Sequence, residues 1–68
     1  MNYYYTVFTT EPNTPEEQAL NDGRMWRDFA TKAEAIKYAR QEKKRGCTHI
    51  NIDQYDSDGD LTNLIIKL

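Results

Sequence analysis

Along residues 2–10, NYYYTVFTT, nearly every position is β-branched or aromatic, the composition that fits a pleated, half-buried strand. Alternation sets Tyr3, Tyr5 and Val7 on one face and Tyr4, Thr6 and Phe8 on the other. Both faces carry apolar surface, so this strand is expected to be central, or to turn one face to a partner. Residues 24–29, RMWRDF, alternate Met25, Arg27 and Phe29 against Arg24, Trp26 and Asp28 and predict a second, antiparallel strand. The period then becomes helical. From Thr31 to Gly46, TKAEAIKYARQEKKRG, the interior consists mostly of strong helix formers without Gly or Pro. Thr31 and Glu34 form a capping box at its start, and Gly46 ends it where the chain can turn left-handed without a Cβ penalty. At helical spacing Ala35, Ile36 and Ala39 share one side, with the Lys32 and Lys43 stems at its flanks. Period two returns at residues 48–55, with Ile50 and Ile52 facing one way and His49, Asn51, Asp53 and Tyr55 the other. Asp58-Gly59 signals a hairpin with a type I′ turn, and residues 61–67 close the fold as a fourth strand.

The pattern predicts one α+β domain over residues 1–68, in the order β-β-α-β-β, with a four-stranded antiparallel sheet and one helix packed on one face. Its core should include Val7, Ile36, Ala39, Ile50, Ile52, Leu64 and Ile66. Residues 11–22, EPNTPEEQALND, are punctuated by Pro12 and Pro15. Thr14 followed by Pro15, Glu16 and Glu17 is also a helix start, and a single turn through Leu20 is expected, closed by Asn21-Asp22-Gly23. That stretch is the alternative cover for the sheet face the helix leaves open.

Length and cysteine content narrow this further. Sixty-eight residues lie near the lower limit for a domain without staples, and a lone Cys47 excludes an internal disulfide. A free thiol fits a reducing, cytoplasmic setting. No apolar run approaches the ~20 residues a membrane helix needs, and the N-terminus lacks a signal-peptide pattern. The chain is expected to be soluble and complete as given, with no membrane partner.

The formal net charge of −2 conceals a segregation. Residues 32–45 carry six basic and two acidic side chains, residues 53–60 carry four aspartates and no base, and residues 1–28 hold five acids against Arg24 and Arg27. Lys37, Arg40 and Lys44 form a row along one side of the helix, with Tyr38 and Arg45 roughly opposite. Such separation can steer a charged partner, or serve only as a solvated surface.

Enzyme chemistry finds little foothold. Aligning Gly59 with the sixth position of a calcium loop puts Gln54 at the first and Ile65 at the twelfth, where carboxylates are required. Cys47 and His49 are too few for a zinc site within one chain, and nothing supplies an oxyanion hole or third group for a Cys-His pair. Neither a Gly-rich phosphate loop nor a serine nucleophile motif is present. The expectation is a non-enzyme with no cofactor and no metal.

The aromatic residues exceed what one helix can cover, so some of Tyr3, Tyr4, Tyr5, Phe8, Trp26 and Tyr55 must lie on the open sheet face. There such rings anchor protein interfaces or stack bases. Tyr3, Tyr5 and Trp26 are the chosen anchors, although a one-residue register change would exchange the faces. From Trp26 to Arg40, WRDFATKAEAIKYAR, an aromatic strand leads into F-x-T-x-x-E-A at the start of an amphipathic helix. This stretch resembles many small phage and bacterial proteins. The β-β-α-β-β layout is similar to some small phage anti-CRISPR proteins, in which a basic helix face or an exposed sheet docks on a host nucleoprotein complex.

The resulting expectation is a protein-binding module, an inhibitor of the phage or mobile-element type, that occupies a surface of a host protein or nucleoprotein complex. Its candidate contact residues are Lys37, Arg40, Lys44, Arg45, Tyr3, Tyr5 and Trp26. Two alternatives stand beside it. One is a nucleic-acid-binding domain using the basic helix face, disfavoured by the acidic balance. The other is a structural protein that forms a homodimer through its open sheet face.

Overall fold

The computed structural model describes residues 2–21 and 23–68. In chain order the elements are β1 (Tyr3–Thr10), a 3-10 turn (Glu16–Gln18), β2 (Arg24–Phe29), α1 (Lys32–Lys44), β3 (Thr48–Asp56) and β4 (Leu61–Lys67). The strands form one antiparallel sheet in the order β2-β1-β3-β4, so β1 and β3 are central and β2 and β4 are edges. The α+β fold read from the pattern is thus the fold observed, down to strand ends within a residue or two.

Register assigns the faces, because residues directly opposite each other in antiparallel strands share a face. Val7 lies between Arg27 of β2 and Ile52 of β3, and Phe8 lies between Trp26 and Asn51. The helix packs on the Val7 side, mainly over β1 and β3, less over β2, and barely meets β4. Ala35 and Ala39 are fully buried, and their small side chains let α1 approach Val7, Ile50 and Ile52, which are 0–1% exposed. Tyr5, Phe29, Ile36, Tyr38, Ile65 and Ile66 pack around this centre, partly buried.

Leu64 does not belong to that core: it is 54% exposed. Ile52 faces Ile66 while Asp53 faces Leu64, so Ile65 is an extra residue in β4. This bulge breaks the period of two and delivers Leu64 to the open face, beside Asp53. A second shift between Gln54 and Tyr55 makes Thr62 another extra residue and puts Leu61 opposite Tyr55. A third lies on β3, where Phe8 faces Asn51 but Thr10 faces Thr48, around His49 at φ 51°.

The helix ends follow local chemistry. Thr31 Oγ1 accepts the Glu34 N–H at 3.2 Å and donates to Glu34 Oε1 at 2.8 Å. The cap is therefore made, but the Glu34 carboxylate takes the Thr31 hydroxyl as its partner. At the other end Cys47 N–H donates to Glu42 O and Gly46 N–H to Lys43 O, with Gly46 at φ 103°. That is a Schellman motif, which satisfies two of the carbonyls that a helix end otherwise leaves unpaired. The β3–β4 turn differs from the type I′ expectation: Asp58 does not have positive φ, and Gly59 alone adopts it, at 86°. Asp56 Oδ1 accepts the N–H groups of Asp58 and Asp60, and Asp56 N–H donates to Asp60 O, so residues 57–59 form a three-residue loop.

Candidate functional site

The helix carries two populations of cations. At its C-terminal end Arg45 is held by carboxylates from two directions, with Nη2 at 3.0 Å from Glu11 Oε1 and 2.6 Å from Glu42 Oε2. Its Nη1 donates to Glu11 Oε2 at 3.1 Å, so the Glu11 pair is bidentate. Hydrogen bonding from Arg45 holds both Glu11 and Glu42 below the ordinary carboxylate pKa and raises that of Arg45. The thiol of Cys47 lies beneath and donates to Glu42 Oε2 at 3.2 Å. Burial first, and that hydrogen bond second, push the thiol up to about 11. Arg45 is therefore a clamp between Glu11 and the helix end, and its charge is paired within the fold.

Lys37, Arg40 and Lys44 differ. All three are exposed, and among the described residues none forms a salt bridge. With Ala33, Ile36 and Gln41 they line a shallow groove of about 520 Å³. Their positions lie across the helix from Ala35 and Ala39, which places the row on the outward crest of α1. Lys43, at the flank, shares a neighbouring hollow with Arg40, Lys44 and Leu68. Tyr38 is half-buried against Phe29, ring centroids 5.2 Å apart, and the Arg27 guanidinium lies 5.3 Å from the Tyr38 ring centroid.

The open sheet face is not the one expected of Tyr3 and Tyr5. Both share the parity of Val7, and Tyr5 packs against the core on the helix side, so the open-face tyrosines are Tyr4 and Tyr55. These two stack across β1 and β3 with centroids 5.3 Å apart and planes at 13°. Trp26 does stand on the open face, opposite Phe8, and is 70% exposed.

Sequence reasoning missed how polar this face becomes. Arg24 crosses from β2 over the Phe8 ring, at 5.3 Å, and donates to Asn51 Oδ1 at 2.5 Å and to the His49 carbonyl. Asn51 donates in turn to Asp53 Oδ1, which shares its carboxylate with Tyr55 OH. Partial burial lowers the Arg24 pKa, and burial beside Asp53 raises that of Tyr55. Thr6 Oγ1 donates to Asp28 Oδ1 at 2.6 Å. The signal was there in the shared parity of Arg24, Asn51 and Asp53, but the strand order was needed to bring them together. Beyond Arg24, the Thr10 hydroxyl donates to the carbonyl of buried Ala19, so the chain around Ala19 roofs one end of this face.

Among the described residues no group of three or more His, Cys, Asp or Glu side chains is placed to hold a metal ion, and no helix is long and apolar enough to cross a membrane. The chain matches no family model, no curated protein and no solved structure.

Proposed function

We propose that the chain is a non-enzymatic binding module that occupies an acidic surface of a host protein or nucleoprotein complex through the crest of α1. The reading includes its encoding by a phage or mobile element, as an inhibitor of anti-CRISPR type, and action in the cytoplasm, where Cys47 stays reduced. One observation carries it. Every arginine outside the crest is tied within the fold, Arg24 to Asn51, Arg27 over Phe29 and Tyr38, and Arg45 to Glu11 and Glu42. Lys37, Arg40 and Lys44 form a row on one helix side, and among the described residues no acid forms a salt bridge with it. Exposed cations add little to stability, so leaving three of them together favours a role in association.

The test is charge reversal. Arg40→Glu with Lys44→Glu should leave the melting temperature nearly unchanged while slowing association with a captured host partner, most strongly at low salt. Titration with DNA or RNA duplex separates the alternative: binding that is weak at ~50 mM salt and gone by ~200 mM is the generic electrostatic attraction and leaves protein binding favoured. Wild-type rate and affinity in the double variant would reduce the crest to a solvated surface.

A further inference from the structure

The two sheet edges are guarded unequally. β4 is interrupted by the extra residues Thr62 and Ile65, and bulges of this kind twist an edge out of reach of another strand. β2 has no such device. Its six residues pair with β1 from Thr10–Arg24 to Tyr5–Phe29 without a shift, and it contains neither Pro nor Lys. Its charged side chains have contacts on their own protomer, Arg24 over Phe8 to Asn51, Arg27 over Phe29 and Tyr38, and Asp28 with Thr6, but Arg27 and Asp28 remain exposed at the edge. Its exposed apolar side chains are Met25 at 47% and Trp26 at 70% exposure.

We infer that β2 pairs antiparallel with β2 of a second copy about a two-fold axis at Trp26, joining two sheets into one of eight strands. The sequence RMWRDF selects the register. With Trp26 opposite Trp26 of the second copy, Arg24 faces Asp28 and Met25 faces Arg27, each twice by symmetry. Among antiparallel registers that pair five or more of these residues, this one alone sets opposite charges directly across. Moving the axis to residue 27 places Arg27 against Arg27, and centring it between Trp26 and Arg27 would oppose residues of opposite faces, which an antiparallel ladder does not permit. Opposed opposite charges and aromatic pairs each stabilise a ladder, and like charges directly opposed destabilise it. Because opposed residues share a face, the two open faces become continuous around the tryptophan pair, and both helices lie on the other side. The α1 crest stays free, so this dimer and the helix-borne binding stand or fall separately.

Sedimentation of the intact chain tests the association, and cysteine scanning along β2 tests the register. The wild-type protein should be dimeric at ~100 µM and dissociate on dilution, with the emission of its single tryptophan shifting to the red as Trp26 returns to water. Under mild oxidation Trp26→Cys should form an intermolecular disulfide at least ~10-fold faster than Met25→Cys or Arg27→Cys. Residue 26 meets itself at a Cα separation of about 4.5–5.5 Å, within disulfide reach, whereas residues 25 and 27 meet their own copies only diagonally, at about 8 Å. The wild-type chain, whose lone thiol is buried, sets the background. A strict monomer at ~100 µM overturns the inference. So does a dimer in which Arg27→Cys, Met25→Cys or the open-face Leu64→Cys crosslinks ahead of Trp26→Cys.

Discussion

On one side of the sheet Val7, Ile50 and Ile52 lie under Ala35 and Ala39 with almost no exposed surface. On the other side no helix covers the strands, yet Thr6 is only 4% exposed and Phe8, Asn51 and Tyr55 are half-buried. The first side is closed by apolar packing. The second is closed by long polar side chains lying flat on the strands, Arg24 across Phe8 to Asn51 and Tyr4 against Tyr55, with Asp28 and Asp53 receiving the donors. The difference shows how so short a chain can fold with a single helix. Burial energy is concentrated in a few residues on one face, and the other is held by hydrogen bonds whose individual net contribution is smaller.

The comparison breaks most visibly at Ile52. Ile52→Ala should destabilise the protein by about 2–5 kcal/mol, a large share of what a domain this small can have. Leu64→Ala, one strand over but turned to the open face by the Ile65 bulge, should change stability by less than about 0.5 kcal/mol. Urea melts of both variants decide it; similar losses would mean that the two faces are not energetically distinct.

Cys47 sharpens the same contrast by rate. It belongs to the helix-side core and its thiol is pushed up to about 11 by burial. At pH 8 alkylation by iodoacetamide should therefore run roughly 100-fold slower in the folded protein than in urea. Comparable rates in the two states would show that this end of the core is open to reagent.

The open face should answer more weakly. Asn51→Ala leaves the Arg24 guanidinium and the Asp53 carboxylate each short of a partner on a partly buried surface. The expected loss is about 1–3 kcal/mol by urea melt, larger than for Leu64→Ala and no larger than for Ile52→Ala. An unchanged midpoint would mean that water replaces Asn51 without cost and that the network closes nothing.

Legibility in the sequence followed the same division. Period two in residues 2–10, 24–29 and 48–55, the Thr31 cap, Gly46 and the Asp58-Gly59 hairpin signal were enough to place the four strands and the helix, because each is a local signal. Ile50, Ile52, Val7 and Ala39 were identified as core for the same reason. The misplacements were Leu64, Tyr3, Tyr5 and the Asp58 turn. Leu64 went wrong because a bulge needs two strands to define it. Tyr5 went wrong because two apolar faces give alternation no direction until the helix chooses the Val7 side. Arg45 reads as one more cation of the helix until the fold brings Glu11 to it from thirty-four positions away. The Lys37, Arg40 and Lys44 row was legible, since helical spacing alone sets it.

The smallest expected effect lies at the rim where the helix side meets solvent, in the Arg45 clamp. Glu11 and Arg45 are both well exposed, so their pair is screened and contributes modestly. Its pH dependence is nonetheless definite in sign. The Arg45 hydrogen bond holds Glu11 below its usual value of 4.5 in the folded state. A lowered folded pKa means that the contribution is complete above pH 4.5 and is lost as pH falls through the lowered value, where the carboxylate takes up a proton. Glu42 carries the same sign for the same cause. Glu11→Gln should therefore melt slightly below wild type at pH 7, with the gap closing as pH falls through the lowered Glu11 value. Added salt at pH 7 should narrow the gap as well, because the pair is exposed to counterions. A deficit that stays constant across pH and salt would assign the effect to lost packing of Glu11 against the helix end. The clamp would then be steric, and the rim would belong with the apolar face.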